Sequence, residues 1–274
     1  MLNIIMSIFL AIVSIGLLGA VLGAVLSFAS EKLKVEEDLR VKKLEAILPQ
    51  YNCGACGYSG CSGYANAVIN EGVPTNKCTP GGPDLLSSIS DLLGIEAGNV
   101  ERMVAQIHCR GGEKTSKDQY NYSGISGCNA KYQLYSGDKL CKFGCLGDGS
   151  CMDVCPVDAI YRDEENLIWV DKDKCVGCEK CVDICPTNVM KMIPYSADYI
   201  VACSSQEKGK AVKSKCTVGC IACSICVRKF PEAGFAVDKN LSSVDYTIKI
   251  DRTPVSAACP VKCIIHPYKE NEGK

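Results

Sequence analysis

The sequence predicts an α+β chain. An N-terminal transmembrane helix leads into a small helical domain and then two modules of short β-hairpins and helices, all dense in cysteine. Three observations carry this expectation. Met1–Ser30 contains no charged side chain. The 274 residues hold 21 cysteines but only two histidines, and the cysteines fall in short-spaced runs. Brief strand-like segments flank polar turns, as in "AIYRDEENLIWVD".

The opening segment, Leu2–Ala29, is almost wholly apolar. About 20 such residues cross a bilayer as a helix, so residues 2–29 are expected to span the lipid. A secretory signal would show a basic start and a shorter apolar stretch. Gly19, Gly23 and Ser27 stand four apart beside a row of Gly16, Ala20 and Ala24. Small residues of this kind permit close approach of another membrane helix, although they are common in plain anchors too. Glu31, Lys32, Lys34, Arg40, Lys42 and Lys43 come at once after the span. Lysine and arginine gather on the cytoplasmic side, which places a single-pass chain in the cell membrane with its remaining parts in a reducing compartment. Val35, Leu39, Leu44 and Leu48 then repeat at helical spacing, an amphipathic stalk.

Composition excludes several classes. A net charge of −1 offers no electrostatic case for nucleic acid. Lys208, Lys210, Lys213 and Lys215 form one small basic run, read as a solvated loop rather than a docking patch. No G-x-G-x-x-G opens a βαβ unit and no P-loop is present, so nicotinamide, flavin and nucleotide chemistry are expected on other chains. Two histidines and no paired carboxylates leave little for acid–base catalysis, and no independent catalytic site is expected.

The cysteines carry the chemistry. "NCGACGYSGCSGY" supplies Cys53, Cys56 and Cys61, with Cys78 after sixteen residues. Three close thiolates and a remote fourth suit a [4Fe–4S] cluster, whereas a four-thiolate zinc site usually pairs two short-spaced couples. Gly54, Gly57 and Gly60 allow a tight loop whose amides face the sulfurs. The following "LLSSISDLLGIEAGNVERMVAQIH" reads as helix throughout.

"CKFGCLGDGSCMDVCP" then supplies Cys141, Cys145, Cys151 and Cys155, and "CVGCEKCVDICP" supplies Cys175, Cys178, Cys181 and Cys185. The second run is the bacterial ferredoxin pattern, in which the fourth cysteine serves the other cluster. The cross-over assigns Cys141, Cys145, Cys151 and Cys185 to one cluster and Cys155, Cys175, Cys178 and Cys181 to the next. Trp169, between the runs, is expected to pack the hairpin.

"CTVGCIACSICVRKFP" has the same frame with Phe230 at its fourth-cysteine position, and Cys259-Pro260 ends the matching later run. Counting back from Cys259 reaches Val255, Arg252 and Lys249. All four places for one cluster are therefore altered, while Cys220, Cys223, Cys226 and Cys259 remain for its partner. Five cysteines are left over: Cys109, Cys128, Cys203, Cys216 and Cys263. Free cysteine is often a small buried hydrophobe, with Cys216 a possible substitute for Cys220. His266 and His108 are weak ligand candidates.

The segments expected are 1–30 transmembrane helix, 31–50 stalk, 51–109 [4Fe–4S] domain, 110–135 connector, 136–200 two-cluster ferredoxin-like module and 201–270 one-cluster module. This order, from "CGACGYSGC" to the tandem ferredoxin motifs, resembles the B subunit of the Rnf complex, the membrane-bound ion-translocating ferredoxin:NAD oxidoreductase. The resemblance implies an electron-transfer subunit with four [4Fe–4S] clusters. It implies reduced ferredoxin as donor and relay to other membrane and flavin-bearing subunits. The alternatives are a subunit feeding another membrane acceptor such as quinone, and a zinc-binding, membrane-tethered interaction protein.

Overall fold

The computed structural model describes residues 2–32, 38–95 and 101–268. Two compact units divide between Lys42 and Lys43. Helix α1 (Leu2–Lys32) belongs to the first. Its Ile12–Ser30 window has a mean hydropathy of 2.3 with none of it buried, so it is long and apolar enough to cross a membrane. Nothing lies within 4 Å of a Cβ built at Gly16, Gly19 or Gly23. Lys34 and Val35 of the expected stalk lie outside the described residues. Helix α2 (Leu39–Ile47) comes next, with Leu39 exposed and Leu44 and Leu48 buried.

In the second unit, α3 (Cys61–Asn66) buries Tyr64 and Ala65. Its last turn loosens to π geometry before Gly72 stops it at φ 67°. Helix α4 (Gly82–Leu93) buries Leu85, Leu86 and Ile89 on one face. The helical pattern expected to run on to His108 does not. Gly94 takes φ 66° and ends α4, and Met103–Ile107 is strand β1. Periodicity within an apolar run this short cannot separate helix from strand; the pairing partner decided it.

Short elements complete the unit: α5 (Cys128–Gln133), α6 (Ser150–Asp153), β2 (Ile160–Arg162), β3 (Ile168–Val170), α7 (Lys180–Asp183), β4 (Met190–Pro194), β5 (Ile200–Val201), α8 (Gly209–Lys215), α9 (Ile225–Lys229), β6 (Phe235–Asp238), β7 (Leu241–Val244), α10 (Thr253–Ala258) and β8 (Ile264–Ile265). The strands form four antiparallel pairs, β1–β4, β2–β3, β5–β8 and β6–β7. The β2–β3 hairpin is the one its sequence predicts. Asp163 closes its turn by accepting the amides of Glu165 and Leu167 at 2.9 Å each, and its other oxygen accepts Trp169 Nε1 at 2.9 Å. Trp169 is buried in the hairpin as expected. In β6–β7, Lys239 and Asn240 both take positive φ, the geometry a two-residue hairpin turn requires.

Strand pairing links segments that are far apart in the chain. Met103 of β1 faces Pro194 of β4, and Ile200 of β5 faces Ile265 of β8. Val104, Ile160, Val170, Met190 and Ile193 form one core, into which cysteines are packed. Val201, Phe235, Val255 and Ile264 form a second, again with cysteines at its edge. The run Lys208–Lys215 is a helix, α8, rather than a loop, and its Lys215 pairs with Glu207 at 2.6 Å.

Candidate iron–sulfur sites

All 21 cysteines are free thiols, and the fold gathers them into groups. The first group is built on a loop that turns on glycine. Gly54, Gly57 and Gly60 take positive φ, and a Cβ at Gly60 would lie 2.8 Å from Asn52 Oδ1. That oxygen instead accepts the amide of Cys61 at 2.9 Å. The remote Cys78 is placed by Tyr64, whose hydroxyl donates to Pro74 O at 3.0 Å and accepts the amide of Lys77 at 3.3 Å. Burial pushes the Cys78 thiol up to about 11, and the neighbouring sulfurs of Cys61, Cys56 and Cys53 add to that rise. Cys53, Cys56 and Cys61 are thus near enough to Cys78 to act on its charge.

Cys155, Cys175, Cys178 and Cys181 form a second group. Burial raises Cys181 to about 12, with Cys175, Cys178, Cys151 and Cys155 contributing as nearby charges. Backbone amides point at the sulfurs: Ala159 N to Cys155 at 3.3 Å and Ala105 N to Cys175 at 3.4 Å. The strand β1 therefore serves this site directly. A Cβ at Gly177 would fall 2.6 Å from Met103 O and 3.2 Å from Thr79 Cγ2, so the loop of this group lies against the residue after Cys78. The two groups adjoin.

The next group departs from spacing. Cys145, Cys151 and Cys185 border one cavity, and its fourth thiol is Cys128, not Cys141. The cause is local. Cys128 opens α5, and its amide donates to Ser150 Oγ at 2.9 Å, beside Cys151. Gly127, at φ 126°, donates its amide to Asp148. Lys131, one turn along α5, meets Asp138 at 3.1 Å and Asp148 at 3.3 Å. These ties clamp α5 over the loop that holds Cys145 and Cys151. The cross-over itself is present, because Cys185 of the second run borders the cavity of the first.

Cys141 lies instead at a different cavity, with three of the cysteines left over by spacing: Cys109, Cys203 and Cys216. Spacing gives Cys109, Cys128 and Cys203 no group, because they stand outside the short-spaced runs, and it offers Cys216 only as a substitute for Cys220.

At the C-terminal end, Cys220, Cys223, Cys226 and Cys259, the four that spacing groups, border one cavity, and Cys263 joins them. Cys216 does not take the place of Cys220; it lines the other cavity. Cys263 Sγ lies 3.6 Å from Cys259 Sγ. Thiol hydrogen bonds from Cys263 lower Cys220 to about 6 and Cys259 to about 5, while Cys263, holding the proton, is pushed far upward.

The four altered places of the missing partner cluster are filled by other means. Val255 is buried in the second core and Phe230 packs against it, while Lys249 is exposed. Arg252 is buried and spends its guanidinium on Ala233 O at 3.0 Å, Asp198 Oδ1 at 2.6 Å, and the carbonyls of Asp245 and Ile248 at 2.9 and 2.5 Å. His266 is exposed between Tyr199 and Tyr268, and His108 Nδ1 donates to Val201 O at 3.1 Å.

Three cavities are each bordered by four or five thiols, and amides are directed at the sulfurs of Cys155 and Cys175; such donor sets fit iron–sulfur clusters. Comparison with known proteins agrees. The chain is 36% identical to the B subunit of the proton-translocating ferredoxin:NAD(+) oxidoreductase complex of Clostridium ljungdahlii, over 94% of this chain and 90% of that one. It is 34% identical to the Na(+)-translocating counterpart of Acetobacterium woodii, over 91% of this chain and 75% of that one. It is also 34% identical to the B subunit of the ion-translocating oxidoreductase complex of Methanosarcina acetivorans, over 90% and 94%. The chain belongs to the family of Rnf complex B subunits. Along this Rnf-family chain, an Fe-S cluster family model matches residues 48–80, the span of Cys53 to Cys78. A 4Fe-4S dicluster domain matches residues 140–192, and Cys128 lies before it.

Proposed function

We propose that this chain is a membrane-anchored electron-transfer subunit of an ion-translocating ferredoxin:NAD oxidoreductase. It takes electrons from reduced ferredoxin and relays them to flavin-bearing and other membrane subunits. Helix α1 is its anchor, and the basic residues Lys32, Arg40, Lys42 and Lys43 favour a cytoplasmic position for the cysteine-bearing unit. Four [4Fe–4S] clusters have as ligands Cys53, Cys56, Cys61 and Cys78; Cys128, Cys145, Cys151 and Cys185; Cys155, Cys175, Cys178 and Cys181; and Cys220, Cys223, Cys226 and Cys259.

The observation that carries this reading is the cross-over, with Cys185 at the cavity of Cys145 and Cys151. It ties two ferredoxin-type runs into one pair of neighbouring sites. Zinc is disfavoured by spacing. Tetrahedral zinc, with Zn–S of about 2.3 Å, needs its ligands around a point. A four-thiolate zinc site usually pairs two short-spaced couples, whereas a ferredoxin-type run lends its fourth cysteine to the other site. A bound cluster supplies reversible one-electron transfer. The residues supply its thiolates, the amides that bond to sulfur, and apolar walls such as Ile107, Ile168 and Met190 that limit water.

The test uses the full chain in detergent, prepared without oxygen. Adding reduced ferredoxin should generate the EPR signals of reduced [4Fe–4S] clusters, and adding the flavin-bearing subunits should discharge them. Stoichiometric zinc without iron, or clusters that ferredoxin leaves oxidised, would overturn the reading.

A further inference from the structure

Cys109, Cys141, Cys203 and Cys216 come from four separate segments: the end of β1, the loop before α6, the end of β5 and the end of α8. Chance burial of small hydrophobes would not need them at one cavity, yet all four border the same one. Specific ties bring them there. Ser116 bridges Cys216, Lys117 N donates to Lys215 O at 2.9 Å, and Thr217 N donates to Thr115 O at 2.9 Å. Leu140 N donates to Lys117 O at 2.8 Å, which holds the residue before Cys141 to the same strap. Ser204 Oγ donates to His108 O at 3.0 Å, joining the residue after Cys203 to the residue before Cys109.

Backbone also reaches the sulfurs. Gly111 N donates to Cys109 Sγ at 3.3 Å. Ala159 N and Ala105 N do the same for Cys155 and Cys175, thiols of a neighbouring group. A metal-bound thiolate is stabilised and tuned by such donors. Arg110 and Lys139 line the cavity and offset the charge of four thiolates.

We propose that Cys109, Cys141, Cys203 and Cys216 hold a fifth [4Fe–4S] cluster, placed between the ferredoxin-like pair and the C-terminal site. Its position rests on two observations. Cys109 Sγ accepts the amide of Cys145, a thiol of one neighbouring group, at 3.3 Å. Cys203 packs in the same core as Cys220, a thiol of the other. The site gains one electron from one neighbour, which is oxidised by one, and passes one to the other, which is reduced by one; no bond or proton changes. The proposal rests on reading the other cavities as cluster sites.

The test is iron and sulfide analysis with EPR on the anaerobic full-length chain and its Cys203→Ala and Cys216→Ala variants. At four iron per cluster, the wild type should hold about 20 iron and each variant about 16. Each variant should lose one and the same EPR signal. After rapid mixing with reduced ferredoxin, the signal abolished by Cys223→Ala should drop out of the fast phase in Cys203→Ala. A wild-type content of about 16 iron, or variants that keep every signal, would overturn the fifth site while leaving the proposed function standing. Zinc in place of iron would remove both. If a variant does not fold, the wild-type count still decides between about 20 and about 16.

Discussion

Arg252 Nη1 lies 2.6 Å from Asp198 Oδ1, inside a region where cysteine spacing would place a cluster ligand. The guanidinium is only 4% exposed and its remaining donors meet three backbone carbonyls. A hydrogen-bonded cation is the centre of that half-module. Removing one partner of a buried ion pair strands the other, at a cost of about 3–5 kcal/mol. Arg252→Ala should therefore lower unfolding stability by about 3 kcal/mol in denaturant titration. The iron content of the folded fraction should stay at the wild-type value.

Restoring a cysteine there should not restore a cluster. Arg252→Cys supplies one thiolate beside Phe230, Lys249 and Val255, none of which ligates iron. Iron per chain is expected to stay at the wild-type value. A gain of about four would mean the vacated site keeps ligands that spacing does not reveal.

Cys128 and Cys141 separate two groupings. Spacing puts Cys141 with Cys145, Cys151 and Cys185, but the cavity puts Cys128 there. Cys128→Ala should lose about four iron and Cys141→Ala about four, and the double variant about eight, because two sites are broken. A double variant that loses no more than either single one would place both residues at one cluster. Iron analysis beside EPR of the reduced chains reads the difference.

Tyr64 holds the segment that presents Cys78, bonding Pro74 O and Lys77 N through one hydroxyl. Tyr64→Phe keeps the ring and removes both bonds, at about 1 kcal/mol or slightly more. The expected result is faster loss of the N-terminal cluster to a chelator, with the other EPR signals unchanged.

Lys131 gives a pH dependence. Burial lowers its pKa, but hydrogen bonds and charge from Asp138 and Asp148 outweigh that and leave it above its ordinary 10.5. A group whose folded pKa is raised contributes stability fully below its unfolded pKa. That contribution is lost as pH rises through the folded value. Wild-type stability should therefore fall on the alkaline side of 10.5. Lys131→Met should be less stable at neutral pH and lack this part of the alkaline fall, as measured by urea unfolding at each pH.

Local pattern determined much of this protein. The uncharged run to Ser30 reads as a long apolar helix, which α1 is, and Cys53, Cys56 and Cys61 could be grouped because they share one short glycine-rich loop. The ferredoxin cross-over linked Cys155 to Cys175, Cys178 and Cys181, and the broken frame at Phe230 singled out Cys220, Cys223, Cys226 and Cys259. Short apolar segments were less decisive. Met103–Ile107 has a pattern compatible with helix, and its pairing to Met190–Pro194 across the chain made it a strand. The same holds for thiols outside the runs. Cys109, Cys203 and Cys216 meet Cys141 only because the strap at 115–117 pairs with 215–217, and Cys128 replaces Cys141 only because Ser150, Asp138 and Asp148 fasten α5 in place. Spacing reports proximity when ligands are sequence neighbours; when they arrive from distant segments, only the tertiary hydrogen bonds decide which sulfurs share a site.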